Sequence, residues 1–386
     1  MNICIYKHKP TVDVTLKILD AYHRAFEKEG HSVLILSQDM DGYSPRQARE
    51  IASRFLNHKS DMAICYGFAA MPEMNDGYFF RSHGIPLTIL CFENPFFGLN
   101  NKLIDEIKRY PDYYRFFVWD PYYLDLLKQY CKNCYPILHA AEIAEFQASV
   151  PVFERKLAFV GHISDFNQLR AERTKAGDHV DNLIDQVMLQ KMHNPVLNIF
   201  DLITDISERI PGYKANDSRF LKTDIFLHKH VIYPLYSEGL GKYRYYLLNQ
   251  LSEFQVDYYG DVNWTAPHIT FHPPVSYFEE LPTIYRSTIV NLDIPPFQSI
   301  HSLNNRFFDI GAAKALLLTE AKSDLRLIFD DVELICYRSL DELKEKITFY
   351  LKNIDVRNQV AEKLHQCILK SHTYEHRVRY MIEAIS

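Results

Sequence analysis

Short apolar runs alternate in the first 140 residues with segments whose apolar side chains recur every three or four positions. Asn2–Tyr6, Val33–Ser37, Met62–Tyr66, Leu87–Phe92, Phe116–Trp119 and Tyr135–Leu138 read as buried strands. Between them, Leu16, Leu19, Tyr22, Ala25 and Phe26 share one helical face, with Gly30 placed to end that helix. Pro45–Leu56, Lys102–Arg109 and Tyr122–Tyr130 are further helices by the same pattern. Strands alternating with helices predict a parallel sheet covered on both faces.

The pattern lapses at 143–155, which contains a proline and reads as a linker, and resumes with a strand at Lys156–Val160. From about 164 to 235 the chain is helical and polar, an insertion without a readable motif. A helix at Tyr243–Leu251 follows, then strands at Gln255–Tyr259, His268–Phe271 and Thr288–Asp293, a helix opening on Asn304 and Asn305, and a strand at Ala315–Thr319. Leu343, Ile347, Leu351, Val360, Leu364 and Ile368 mark two closing helices by their core-facing spacing. The expectation is an α/β protein of two Rossmann-like domains, 1–150 and 151–370, with a terminal helix in 371–386 returning to the first.

Composition narrows the function classes. Of 386 residues, 47% are hydrophobic and 24% charged; Lys+Arg 43 against Asp+Glu 49 gives −6, which argues against nucleic acid as a partner. The chain enters a strand at once, so no signal peptide is expected, and no apolar run is long enough to span a bilayer. The seven cysteines lie mostly in strand-like runs, and Cys131-Lys-Asn-Cys134 has no second CxxC at zinc-site spacing. His228-Lys-His230 reads as surface, and the compartment as a reducing cytoplasm.

In parallel sheets ligands lie beyond the carboxyl ends of the strands. That places Glu93-Asn-Pro95, Asp120-Pro121 and His139-Ala-Ala-Glu142 in candidate loops. Glu93 suits a general base, or alternatively a turn residue or helix cap; His139 reads first as packing. Gly161, just past a strand, lets backbone approach a phosphate, with Arg170 and Arg173 downstream as cations or as plain surface charge. The loop ending at Tyr277 carries two prolines and is either a nucleotide contact or a rigid turn. Arg306 and Asp309 stand three apart on the helix opened by Asn305. The guanidinium suits a phosphate and the carboxylate a sugar diol; the alternative is an ion pair on a solvated face. His372 to His376 has metal-ligand spacing but reads as a helix start capped by Thr373.

Arg306–Glu320, Leu325–Phe329, Glu333 to Tyr337, Ser339–Leu343 and His372–Arg377, taken in order, resemble the C-terminal domain of CgeB-like glycosyltransferases. The resemblance is dense over about 254–381 and thinner in the first 150 residues. It implies a GT-B fold, two Rossmann-like domains whose parallel sheets face across a cleft, and a nucleotide-diphosphate sugar held mainly by the second. A UDP-sugar is the first expectation. Asp309 then holds the ribose, Arg306 neutralises the diphosphate, and the 272–277 loop lies near the base. Counting back eight from Asp309 gives His301 where retaining relatives have Glu, which favours an inverting displacement with Glu93 as base. No DxD motif is present, so no obligatory metal ion or other cofactor is expected. The acceptor is a protein or surface glycan, and homo-oligomers are compatible with it. A GT-B-like scaffold that binds nucleotide without turnover is the alternative, supported by His301 and by Asp rather than Glu at 309.

Overall fold

The computed structural model describes residues 1–8, 13–38, 45–69, 73–74, 77–146, 152–163, 178–207, 225–264 and 266–386. They form two compact units, Met1–His139 with Thr373–Ser386, and Ala140–His372.

The first unit is built on strands β1 (Asn2–His8), β2 (Ser32–Gln38), β3 (Met62–Tyr66), β6 (Leu87–Cys91), β7 (Tyr114–Val118) and β8 (Cys134–Pro136). They pair in the order β2-β1-β3-β6-β7-β8, all parallel. Ile3, Ile5, Ile64, Ile89 and Phe116 are fully buried, as continuous apolar runs in a sheet covered on both sides require. A two-stranded antiparallel piece, β4 (Glu73–Met74) with β5 (Gly77–Tyr78), sits apart and has no signal in the pattern because each strand is two residues long. The terminal helix Tyr374–Ile385 packs on the helix Asp13–Lys28. Tyr374 meets Tyr22 edge-on at 5.0 Å, Arg379 donates to Glu29 at 2.8 Å, and Arg377 donates to the Leu138 carbonyl at 2.9 Å. The Thr373 hydroxyl lies 2.8 Å from His376 Nδ1 at the head of this helix.

The second unit holds β9 (Arg155–Val160), β10 (Val256–Tyr259), β11 (Ile269–His272), β12 (Thr288–Asp293), β13 (Leu317–Glu320) and β14 (Cys336–Tyr337). Their order is β11-β10-β9-β12-β13-β14, again all parallel. Leu157, Phe159, Tyr258, Leu292 and Leu317 fill its centre. Helices Asp178–His193 and Ile199–Ser207 belong to the insertion read from sequence as polar. They bury Leu183, Ile184, Val187, Phe200 and Ile203, so the segment contributes core. Its mean composition concealed this because a single apolar stripe suffices to dock a helix. Two wide helical turns, His228–Ile232 and Leu235–Gly239, flank Pro234, whose missing N–H takes one bond from the regular ladder. Among the described residues no helix is long and apolar enough to cross a membrane.

Candidate active site

The carboxyl end of β12 organises the site. Asp293 is fully buried, and its carboxylate accepts from three directions. Arg306 Nη1 donates to Oδ1 at 2.7 Å, Asn304 Nδ2 to the same oxygen at 2.9 Å, and Thr319 Oγ1 to Oδ2 at 2.9 Å. Thr319 stands opposite Asp293 in the parallel register of β12 and β13, so the sheet itself sets one contact. The other two pin the first turn of the helix Asn305–Ala312, with Asn304 at its N-cap position, to the strand end. Burial opposes the Arg306 charge most strongly, but Asp293 together with Tyr285 and Asp309 overcomes it, and the guanidinium stays protonated.

One turn along, Asp309 is also buried. Tyr277 donates its hydroxyl proton to Oδ2 at 2.6 Å, and Asn305 Nδ2 donates to the same oxygen at 3.3 Å and to the Tyr277 oxygen at 3.1 Å. Burial pushes the Asp309 carboxyl up to about 8, against the lowering effect of Tyr277 and Arg306. The surface ion pair that the spacing allowed between Arg306 and Asp309 is therefore not what forms. Asp309 is buried and Arg306 part-buried, and each has its own partner, Tyr277 and Asp293, because the helix turns this face onto the sheet and the 272–277 loop.

Gly161 follows β9 and lies against Arg306. A Cβ there would sit 2.8 Å from Phe159 Cζ and 3.1 Å from Arg306 Nη2, so only glycine leaves this guanidinium its place. The Phe159 ring carries two cations, Arg306 at 5.5 Å and Arg244 at 5.3 Å. Arg244 donates to the carbonyls of His162 at 2.8 Å and Ile294 at 3.0 Å. Burial and the nearby Arg306 charge lower it to about 9. Beside them Asp261 accepts from the Ile163 N–H at 2.7 Å. Burial would raise its carboxyl, but His162 and that N–H overcome this and bring it to about 2.

Of the residues singled out from sequence, Gly161, Tyr277, Asn305, Arg306 and Asp309 come together here. His301 lies in the loop between β12 and the helix, where its Nδ1 is 3.0 Å from Ser323 Oγ, and Arg170 and Arg173 lie outside the described residues. Glu93 belongs to the first unit, at the end of β6. The cap of the next helical turn is Asn94, whose Oδ1 accepts from Phe96 N–H at 3.0 Å, so capping does not engage Glu93. Surrounding protein raises its pKa by desolvation. Asp120 caps the helix Pro121–Leu127 by accepting from Tyr122 N–H at 2.9 Å. His139 is buried, stacked on Phe92 at 4.4 Å, and held neutral by burial and Arg377, its pKa lowered to about 3. Asp293, Asn304, Thr319 and Arg244 were not singled out. Asp293 carried one signal, a carboxylate closing an apolar strand; Arg244 carried none, because its partners lie 82 and 50 residues away. Among the described residues no three His, Cys, Asp or Glu side chains are grouped to hold a metal ion.

Residues 244–383 match the family described as Glycosyl transferase-like. No curated protein matches the chain in sequence. Several solved structures share its fold over nearly the whole length. An alpha-glucosyltransferase in complex with UDP superposes with TM-score 0.59 at 10% identity, covering 99% of both chains. Sucrose-phosphate synthase from Thermosynechococcus elongatus does so with TM-score 0.54 at 9% identity, covering 100% of this chain and 99% of that one. The T4 phage BGT in complex with UDP and Mn2+ gives TM-score 0.52 at 10% identity, with both chains covered entirely. The fold is thus the two-sheet GT-B architecture of glycosyltransferases.

Proposed function

We propose that this chain, whose residues 244–383 form a glycosyl transferase-like domain, transfers a sugar from a nucleotide-diphosphate sugar to an acceptor hydroxyl. The observation that carries the reading is the pair Arg306 and Asp309. One helix turn presents a compensated, part-buried cation and a buried carboxyl whose ionisation awaits a further donor. A nucleotide supplies both complements: a diphosphate for Arg306 and Arg244, and a ribose diol for Asp309. UDP is the first choice of nucleotide, since similar folds were solved with it bound.

In the reaction the acceptor oxygen attacks the anomeric carbon as the bond from that carbon to the diphosphate oxygen breaks. The electron pair leaves with the diphosphate, where Arg306 and Arg244 offset the growing negative charge. Glu93 is the proposed base that takes the acceptor proton, and a single displacement of this kind inverts the anomeric configuration. The acceptor class is a protein or surface glycan, consistent with the net charge of −6. Incubation with UDP-sugars, with and without candidate acceptors, tests the reading: release of UDP that is lost in Arg306→Ala supports it. A protein that neither binds UDP nor releases it from any donor contradicts it.

A further inference from the structure

A second buried charge cluster lies beside this site in the same unit. Glu320 ends β13, one residue past Thr319, and its side chain is 1% exposed. Lys191, from the insertion helix Asp178–His193, brings Nζ to 4.0 Å from Glu320 Oε2, and Lys322, from the loop after β13, reaches 3.7 Å from the same oxygen. Lys191 is buried, and the Lys322 side chain is 7% exposed. Each also fixes backbone: Lys322 donates to the Ser299 carbonyl at 2.7 Å, and Lys191 to the Leu197 carbonyl at 3.0 Å and to that of Pro195. The Lys191 ammonium stands 5.6 Å from the Phe297 ring centroid. Tyr243 and Tyr337, buried around the cluster, have phenol pKa values pushed well up by burial and then by Glu320.

The geometry of these contacts has one common target. Phe297 and Ser299 belong to the segment 294–304 that runs from the carboxyl end of β12 into Asn304, Asn305 and Arg306. Asp293 holds the far end of that segment through Asn304 and Arg306. The Glu320 cluster holds its middle, through Lys322 on Ser299 and Lys191 beneath Phe297. A carboxylate and two lysines buried together are costly to assemble unless the arrangement is fixed: burial already lowers Lys191 to about 7 against the raising effect of Glu320, and removing the carboxylate takes away the counter-charge of both lysines.

We propose that Glu320, with Lys322 and Lys191, is a positioning network that sets the 294–304 segment for the group carried on the donor diphosphate, and so governs discrimination of sugar-bearing from bare nucleotide. This rests on the donor-site reading above: with the diphosphate on Arg306, whatever it carries lies against the segment leading into that residue. Glu320 does not touch the donor; it acts through Lys322 and the Ser299 carbonyl. The insertion thereby becomes a part of the donor site rather than an appendage to the fold.

Isothermal titration of the full chain with UDP and with UDP-glucose, UDP-galactose and UDP-N-acetylglucosamine separates the outcomes. Wild type is expected to bind UDP and to bind one UDP-sugar with a distinct affinity. In Glu320→Gln and in Lys322→Met, the affinity of that UDP-sugar relative to UDP falls about tenfold while UDP itself is bound within about twofold. Lys322→Arg, which keeps the charge and the reach to Ser299, restores the ratio. An unchanged ratio in a folded Lys322→Met or Glu320→Gln protein overturns the network, even if the melting temperature drops, because a merely structural role would lower stability without touching the ratio. Failure of the wild type to bind UDP or any UDP-sugar overturns the donor reading itself.

Discussion

The Tyr277 hydroxyl donates a 2.6 Å hydrogen bond to a carboxyl, Asp309, that burial holds at a pKa of about 8. In the unfolded chain an aspartate titrates near pH 4. A carboxyl raised on folding contributes most stability below its unfolded pKa, and that contribution is lost as pH rises through the folded value. Asp309→Asn should therefore gain on the wild type between pH 5 and 8 by up to about 1.4 kcal/mol per pH unit, read as a melting-temperature gap that widens with pH. A constant gap would show that Asp309 is already ionised in the free protein.

Arg306 depends on Asp293, and the dependence is lopsided. Asp293→Ala strips the part-buried Arg306 guanidinium of its fully buried carboxylate and leaves Asn304 and Thr319 without this acceptor. Loss of one partner of a buried pair costs about 3–5 kcal/mol, so denaturant unfolding should show a large fall in midpoint. A loss below about 1 kcal/mol would mean the pair behaves as a surface one.

Gly161→Ala places a methyl 2.8 Å from Phe159 Cζ and 3.1 Å from Arg306 Nη2. Overpacking of this kind costs about 1–3 kcal/mol, and displacement of the guanidinium should weaken UDP binding several-fold. Wild-type affinity in this variant would remove Arg306 from the diphosphate role.

Glu93→Gln keeps size and removes the proton acceptor. Loss of a general base lowers turnover about 10²–10⁴-fold, while the UDP dissociation constant should stay within about twofold. Unchanged turnover would assign the base to another group.

In the first unit His139 stays neutral, its pKa lowered to about 3. A group depressed on folding gives stability that is present above its unfolded pKa and lost as pH falls. The protein should lose up to about 1.4 kcal/mol per pH unit below about pH 6.5 from this residue. His139→Phe, which preserves the stack on Phe92, should flatten that part of the melting-temperature profile.

Nearly all of the parallel strands were legible because short, largely buried apolar runs such as Met62–Tyr66 leave no polar face to confuse them. Strand β14, two residues long, and the β4–β5 pair carry too little pattern to read. Arg306, Asp309, Tyr277 and Gly161 were found as residues, yet their partnerships were not. Spacing along one helix suggested that Arg306 and Asp309 neutralise each other; the sheet supplies Asp293 instead, from thirteen residues upstream. Glu320 and Lys191 lie 129 positions apart (320 less 191), so nothing local in the chain marks them as a pair.

The most direct test of the central claim is calorimetric titration of UDP into wild type and Asp309→Asn at pH 6.5, repeated in buffers of different ionisation enthalpy. A ribose diol that hydrogen-bonds an ionised Asp309 lowers its pKa from about 8, so wild type should release close to one proton on binding. The variant should bind at least about tenfold more weakly, with that proton release abolished. Equal affinity and equal proton exchange in the two proteins would contradict the account, because the carboxyl would then have no part in holding the nucleotide.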